Sequence, residues 1–103
     1  MSTHGLSNNE LEQIKGVLAP YRTQIETIGL FGSRATGCYR PNSNIDLVIY
    51  GNLDEKALGN IYTRFEESSL PVHVDVQIYE LIAYPPLKKH IDEVIKPLIL
   101  EDI

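Results

Sequence analysis

The stretch "IGLFGSRATGCYRPNSNIDLVIYG", residues 28–51, holds two apolar runs separated by a polar loop. The first run ends at Gly32 and Ser33, and ten residues separate Ser33 from Asn44, which opens the second run together with Asp46. A glycine and a serine after a strand offer backbone N–H groups and a hydroxyl that can hold phosphate oxygens. Residues two apart on a strand share one face. The stretch therefore predicts a phosphate-binding turn beside a group of oxygen ligands.

The bulk composition is that of one small domain without strong positive charge. The chain has 103 residues, a length typical of a single domain, so we expect one unit over residues 1–103. Its net charge is −5 and it has no basic block, which argues against binding along a nucleic-acid backbone. A nucleotide substrate remains compatible with acidic side chains, because a divalent cation bridges carboxylates to phosphates.

Three features of the sequence predict a cytoplasmic protein. Its apolar runs are shorter than the ~18 residues of a membrane-spanning helix. The opening residues lack both the basic start and the apolar stretch of a signal peptide. Cys38 is the only cysteine, which excludes an internal disulfide and fits a reducing compartment. We therefore expect no membrane association.

Apolar periodicity predicts the order helix, strand, short turn, strand, helix, strand, helix. Ser7 and Glu10 form a capping-box pattern that starts the first helix, and Pro20 ends it. Asn52 is the predicted N-cap of the second helix. Pro86 fits the first turn of the last helix, where a missing N–H costs nothing.

The predicted strands are residues 26–31, 44–50 and 72–79. Apolar and polar residues alternate in the second and third strands, so each has one apolar face. Such alternation implies that helices cover one face of the sheet while the other face stays open. The predicted fold is therefore a mixed α/β (α+β) domain with a small mixed sheet, helices on one face and an open face that carries the carboxylates. The residues assigned to the open face are Asn44, Asp46, Val48, His73, Asp75 and Gln77.

The polar residues on this open face predict a metal site. Asn44 and Asp46 point the same way with Cα atoms about 6.6–6.8 Å apart. Asp75 joins them if its strand lies beside theirs. Three oxygen-bearing side chains on a rigid sheet suit a hard cation such as Mg²⁺, which favours carboxylates plus substrate phosphates. Two such ions would align an attacking hydroxyl with a phosphorus atom and stabilise the leaving oxygens.

The turn at Gly32 and Ser33 supplies the complementary half of a nucleotide site. Glycine permits close approach of the backbone to a phosphate, because a side chain there would stand between them. Arg34 and Arg40 flank the turn. Each of them either adds positive charge to a bound nucleotide or is simply solvated.

The combined pattern resembles a known enzyme superfamily. The segment "GSRATGCYRPNSNID", with Asp75 downstream, is similar to the Gly-Ser, ten residues, Asp-x-Asp signature of polymerase-β-like nucleotidyltransferases. The chain resembles the minimal nucleotidyltransferases of that superfamily over roughly residues 8–96. The combined motif is specific, whereas a lone Gly-Ser or Asp-x-Asp would be a weak signal.

The resemblance implies a function that composition and spacing do not show. Many minimal nucleotidyltransferases are the antitoxins of toxin–antitoxin pairs in which the toxin is a small helical HEPN ribonuclease. The implied activity is Mg²⁺-dependent transfer of AMP from ATP to a tyrosine of that toxin. The implied metal ligands are Asp46, Asp75 and the residue at position 44. In this family the residue that corresponds to Asp75 also faces the incoming hydroxyl, so Asp75 is the best candidate for accepting the proton of that hydroxyl.

Asn44 departs from the family pattern, which has aspartate at this position. An amide oxygen can ligate a cation but brings no negative charge, so we expect this form to be impaired. Two explanations remain open: natural loss of catalysis, or a deliberate substitution that inactivates the site. Because the rest of the motif is intact, an isolated aspartate-to-asparagine change in a competent scaffold is favoured.

Two other functions are compatible with the sequence. One is an antitoxin that neutralises its partner by binding alone. The other is nucleotide transfer to a small molecule, although relatives of that kind usually carry an additional substrate-binding domain. The tail residues that would pack either on the domain's own core or on a partner are Leu98, Ile99, Leu100 and Ile103.

Some neighbouring side chains have both a functional and a structural interpretation. His73 would orient Asp75 or contact substrate, but a partly exposed strand histidine is favoured. Tyr39 would stack on a base or pack within its loop. The run Lys88-Lys89-His90 is predicted to be the solvated face of the last helix.

Overall fold

The computed structural model describes residues 5–98 and places a four-stranded mixed sheet at the centre of the fold. The strand order is β3-β2-β1-β4; β1 is antiparallel to both β2 and β4, and β2 is parallel to β3. The mixed α/β class and the mixed sheet are confirmed. The strands are β1 (Ile25–Phe31), β2 (Ile45–Gly51), β3 (Val74–Ile78) and β4 (Lys96–Pro97).

Four helices connect and cover these strands in the predicted order, with one short helix added in the turn. Two 3₁₀ turns, Ala19–Tyr21 and Tyr79–Leu81, follow the first helix and the third strand. Among residues 5–98, no helix has the length and apolarity needed to cross a membrane. The helices are α1 (Asn8–Leu18), α2 (Ser33–Thr36), α3 (Glu55–Glu66) and α4 (Pro85–Val94).

The predicted start of α1 is confirmed, and the predicted start of α3 is wrong. Ser7 Oγ accepts from the N–H of Glu10 at 3.1 Å, and the Glu10 carboxylate accepts from the N–H of Ser7 at 2.9 Å, which completes the capping box. In α3 the N-cap is Asp54, whose Oδ1 accepts from the N–H of Ala57 at 2.8 Å. Asn52 lies too early, because a cap must directly precede the first helical residue.

Prolines lie at two helix boundaries, as the sequence predicts. The α-helical part of α1 ends at Leu18, and Pro20 lies in the 3₁₀ turn that follows. Pro85 and Pro86 occupy the first turn of α4. In the first turn of α4 a missing N–H costs no helical hydrogen bond. After α1, Pro20 cannot donate to the Gly16 carbonyl, which accepts from Arg64 at 3.2 Å instead.

The main core lies on the sheet face covered by α1 and α3. Its strand residues alternate with those of the opposite face, as predicted for half-buried strands. The buried residues of this core include Ile14, Leu18, Ile28, Leu30, Ile45, Leu47, Ile49, Ile61, Phe65, Val74, Val76 and Ile78.

The opposite face is open only in part, which corrects the expectation that all helices lie on one side. Val48 is on this face as predicted, yet it is fully buried beneath Ile91 of α4 in a second cluster that includes Phe31. The reason is that the apolar side of α4 needs an apolar partner, and Phe31 and Val48 provide one. On both sides of the buried Val48 this face is half-exposed, at Asp46 and Asp75 toward one end and at Tyr50 and Gln77 toward the other.

The last described residues belong to the sheet and the core. Lys96 and Pro97 pair with Leu30 and Gly29 of β1, and the N–H of Leu98 donates to a β1 carbonyl at 2.8 Å. Leu98 is buried in the main core, so the part of the tail that the structure describes packs on its own domain. The other three tail residues of the sequence analysis, at positions 99, 100 and 103, lie outside the described residues.

Candidate functional site

The register of the sheet brings two of the predicted site residues together. Asp46 of β2 and Asp75 of β3 are direct Cα partners in the parallel pair, and Asp46 is also the partner of Phe31 in β1. All three side chains therefore lie on the same face. Both carboxylates are half-buried, where the sequence analysis expected them to face open solvent.

Asn44 lies beside this pair but not in the strand. β2 begins at Ile45, whose N–H donates to the carbonyl of His73 at 2.9 Å, and Asn44 is an exposed loop residue one position earlier. The predicted strand over residues 44–50 is therefore shifted by one residue. As a consequence, strand geometry does not fix the direction of the Asn44 side chain.

Gly32 lies directly against the Asp46 carboxylate. It has φ 70° and ψ −150°, a conformation that is essentially restricted to glycine. A Cβ atom at this position would lie 2.2 Å from Oδ2 of Asp46. Glycine is thus required by contact with the carboxylate, in addition to the close phosphate approach that the sequence analysis invoked.

Ser33 opens the short helix α2 at the edge of the site. Gly32 precedes it, and the carbonyl of Gly32 accepts from the N–H groups of Ala35 and Thr36, both at 3.2 Å. The N–H groups of the first helical turn have no acceptor within the helix. Because the N–H groups of Ala35 and Thr36 donate to Gly32, the predicted phosphate donors are the N–H groups of Ser33 and Arg34 and the half-buried Ser33 hydroxyl.

The two arginines flanking the turn differ in position. Arg34 is only 1% exposed; its guanidinium donates to the carbonyl of Ser43 at 3.0 Å and lies 5.2 Å from the centroid of the Tyr39 ring. It is therefore not solvated, and it supports the loop leading to Asn44. Its role at a nucleotide stays a prediction. Tyr39 packs in that loop. Arg40 is exposed, and its backbone is held by the Ser43 side chain at 2.7 Å.

The electrostatics of the site centre on Asp46. Burial raises the pKa of its carboxyl, and the neighbouring charge of Asp75 raises it further. His73, His90 and Arg34 act in the opposite direction. The pKa of Asp46 is therefore raised mainly because its carboxyl is partly removed from water, and secondly because a like charge lies beside it.

Tyr62 is a site residue that the sequence analysis missed. It lies on α3, and its hydroxyl forms a hydrogen bond with Oδ1 of Asp75 and contacts the backbone of Val76. Burial and the hydrogen bond to Asp75 raise the pKa of Tyr62 to about 12. One feature of the sequence could have indicated this role: Tyr62 lies beside the apolar stripe formed by Leu58 and Phe65. A phenol that packs there needs a hydrogen-bond partner.

Helix α4 packs over Phe31 and Val48 on the sheet face that also carries Asp46. Lys89 and His90 are exposed, as predicted for a solvated helix face, while Lys88 is half-buried. The ring of His90 meets the edge of Phe31 at a centroid distance of 6.3 Å, next to Asp46. Lys88 lies over the ring of Tyr79 at 4.7 Å. His73 is exposed, as favoured from the sequence, but it is not a strand residue, because β3 covers Val74–Ile78 and not the predicted residues 72–79.

The sequence matches the family model described as "Polymerase beta, Nucleotidyltransferase" over residues 12–102. This chain belongs to that family. No curated protein matches it.

Solved structures share the fold at low sequence identity. A toxin–antitoxin with AMP-PNP has a TM-score of 0.69 at 23% identity, covering 89% of this chain and 74% of that chain. A toxin–antitoxin MntA–HpeT mutant with two aspartate-to-glutamate changes has 0.67 at 22%, covering 89% and 74%. Another mutant, with a tyrosine-to-alanine change, has 0.68 at 23%, covering 94% and 75%. At these identities the likeness establishes the nucleotidyltransferase fold.

The donor set of this nucleotidyltransferase fits a hard cation that also binds substrate. Among residues 5–98 there is no group of three or more histidine, cysteine or carboxylate side chains able to hold a metal. Asp46 and Asp75 nevertheless provide paired carboxylates, and Asn44 adds an amide one residue before β2. Mg²⁺ is typically bound by one or two carboxylates together with substrate phosphates. The residues present therefore suit Mg²⁺ delivered with a nucleotide.

Proposed function

We propose that this chain is a Mg²⁺-dependent nucleotidyltransferase antitoxin that transfers AMP from ATP to a tyrosine of a HEPN ribonuclease toxin. The observation that carries the proposal is the direct pairing of Asp46 with Asp75 next to the Gly32 and Ser33 turn. The family supports nucleotide transfer. The similar solved toxin–antitoxin structure with AMP-PNP supports both the nucleotide and a toxin as partner.

Each site residue has a role in this proposal. Asp46 and Asp75 would hold Mg²⁺, with Asn44 as a weaker ligand, while Gly32 and Ser33 hold the triphosphate. When bound, Mg²⁺ neutralises charge on the phosphates. The partner's tyrosine oxygen attacks the α-phosphorus and pyrophosphate leaves, so the proton of that tyrosine must be removed. Asp75 is the carboxylate assigned to accept it.

Asn44 supports a second candidate, an antitoxin that neutralises its toxin by binding alone. An amide at a ligand position offers a dipole where aspartate offers a full charge, so cation binding and transfer are weakened. In this second candidate the nucleotidyltransferase site is inactive, and the protein neutralises the toxin through the surface that binds it. Mass gain of the partner distinguishes the two candidates.

The deciding experiment compares the protein carrying Asn44 with the two variants Asn44→Asp and Asp46→Asn. Each is incubated with ATP, Mg²⁺ and the protein encoded by the adjacent gene, and the partner is weighed by mass spectrometry. We expect Asn44→Asp to raise the rate of AMP addition about 10²–10³-fold, the usual effect of one electrostatic stabiliser. Asp46→Asn should abolish addition. Equal rates for the first two forms would contradict a ligand role at position 44, and no addition by any form would favour binding alone.

A cytoplasmic location is part of the same proposal. ATP is an intracellular substrate, and the free, exposed Cys38 fits a reducing compartment.

A further inference from the structure

Tyr62 forms hydrogen bonds with the outer edge of β3, which is a terminal strand of the sheet. Its hydroxyl is 2.9 Å from the backbone nitrogen of Val76 and 3.0 Å from the carbonyl oxygen of the same residue. The third contact of the hydroxyl is a hydrogen bond with Oδ1 of Asp75. One side chain on α3 therefore joins a strand edge to a carboxylate of the candidate site.

Hydrogen-bond accounting shows which way the phenol proton points. In a parallel pair, alternate residues turn their N–H and C=O toward the neighbouring strand. The carbonyl of His73 accepts from Ile45 of β2, so the backbone groups of Val76 face away from β2. The Tyr62 oxygen accepts from the N–H of Val76 and has one proton left to donate. A carboxylate is a stronger acceptor than a carbonyl, so that proton goes to Asp75.

This hydrogen bond restricts the Asp75 side chain. A carboxylate on a strand otherwise rotates about two side-chain bonds, whereas a fixed phenol on a packed helix holds one of its oxygens in place. Oδ1 accepts the phenol proton, so Oδ2 is the oxygen with both lone pairs left for a cation and for the acceptor's proton. Tyr62 is itself held by the Val76 backbone and cannot easily follow Asp75 if that side chain moves.

We propose that Tyr62 is a positioning residue that orients the Asp75 carboxylate so that its second oxygen serves the cation and the incoming hydroxyl. This inference rests on the proposed function, because it assigns Tyr62 to the same site. It goes beyond the Gly-Ser and Asp-x-Asp signature, which contains no residue of α3. Ligands supported in this way typically lose about 10–100-fold in metal affinity or activity when the supporting residue is removed.

The test uses Tyr62→Phe, which removes only the hydroxyl, and a matched control. Tyr79→Phe removes another phenol that bonds a carboxylate, at 2.9 Å and 3.1 Å from the oxygens of Asp92, outside the site. The first readout is binding of Mn²⁺, an EPR-visible substitute for Mg²⁺, to the full chain with ATP, referred to the folded fraction measured by circular dichroism. We expect about 10–100-fold weaker binding for Tyr62→Phe and no change for the control.

The second readout is transfer to the partner, measured in the more active Asn44→Asp background. At saturating Mg²⁺, Tyr62→Phe should lower kcat while leaving KM for ATP unchanged, because the cation site is then filled and Gly32 and Ser33 still hold the triphosphate. Unchanged Mn²⁺ affinity in folded Tyr62→Phe, with or without a lower melting temperature, would overturn the positioning role and leave only a structural one. Absence of transfer by every form would overturn the proposed function, while Mn²⁺ affinity would still judge Tyr62 independently.

Discussion

At the scale of single residues, the site depends on a contact between a glycine and a carboxylate. Gly32 combines a positive φ with the absence of a Cβ that would meet Asp46. Gly37, at the end of α2, also has a positive φ, of 84°, but nothing lies within 4 Å of its would-be Cβ. Substitutions at the two glycines therefore distinguish the cost of backbone strain, which both positions share, from the cost of contact with Asp46, which only Gly32 has.

We predict that Gly32→Ala is more destabilising than Gly37→Ala. Backbone strain at such positions costs about 1–3 kcal/mol. At position 32 the new methyl must also displace the Asp46 carboxylate, so nucleotide-dependent Mn²⁺ binding should fall as well. Urea unfolding and EPR measure the two effects. Equal losses of stability, with cation binding intact in both variants, would contradict the contact.

A second residue-scale prediction follows from the raised pKa of Asp46. Because the folded-state pKa lies above the ordinary value of 3.8, the contribution of Asp46 to stability is complete below pH 3.8 and is lost as the pH rises through the folded-state pKa. We therefore expect Asp46→Asn, which keeps the shape, to raise the melting temperature at pH 7 in the absence of a divalent cation. The gain should shrink as the pH falls toward 3.8.

Thermal melts from pH 3 to 8 measure this difference, with Glu66→Gln as control. Glu66 is an exposed carboxylate at the end of α3, so its replacement changes the net charge equally without touching the site. A gain for Asp46→Asn that is independent of pH, or equal to that of the control, would contradict an unfavourable charge at Asp46.

At the scale of secondary-structure elements, β4 shows how a very short strand completes the core. It contains only Lys96 and Pro97, yet it places Leu98 in the main core at 8% exposure. We predict that Leu98→Ala costs about 2–5 kcal/mol, the usual range for large-to-small core changes. Leu81→Ala, at a leucine that is 37% exposed, is the matched control and should cost much less.

Truncation after Lys96 tests the same element. Removal of Leu98 should lower stability at least as much as Leu98→Ala, because the hydrogen bond from its N–H is lost too. Urea midpoints give both values. A truncated chain as stable as the full one would contradict the placement of Leu98 in the core.

Elements with local signals were predictable from sequence. The capping box at Ser7 and the proline-initiated start of α4 need only residues within one helical turn, and both are confirmed. The cap of α3 was misplaced because Asn52 and Asp54 are both good caps, and tertiary packing decides where the helix begins. β4 was not predicted, since two residues containing a proline carry no periodic signal.

The site was predictable in so far as it follows from strand register. Asp46 and Asp75 lie on polar faces of alternating strands, so parallel pairing brings them together. Val48 was assigned to the open face, but alternation fixes only the face and not whether a distant helix covers it. The hydrogen bond of Tyr62 was not predictable for a related reason. Only the packing of α3 against β3 determines which carboxylate the Tyr62 hydroxyl reaches.

At the scale of the whole molecule, the proposed acceptor must reach a face that α4 borders. We expect the surface that binds the partner to be distinct from the metal ligands and to include residues 84–103. Within the described part of the chain, the exposed large apolar side chains are Leu81 and Tyr84, at 37% and 66% exposure, just before and at the start of α4. They follow the end of β3 that is farther from Asp75, so they offer a docking point separate from the carboxylates.

We therefore predict that Tyr84→Ala weakens binding of the partner encoded by the adjacent gene without changing the melting temperature of the free chain. An exposed aromatic anchor at an interface typically contributes about 2 kcal/mol or more, or ~30-fold in Kd. Asn44→Asp should leave binding unchanged, because it alters charge at the site and not the apolar surface. Titration calorimetry measures each Kd, with Lys56→Ala at the exposed start of α3 as the surface control. Equal Kd values for Tyr84→Ala and Lys56→Ala would place the partner on another surface.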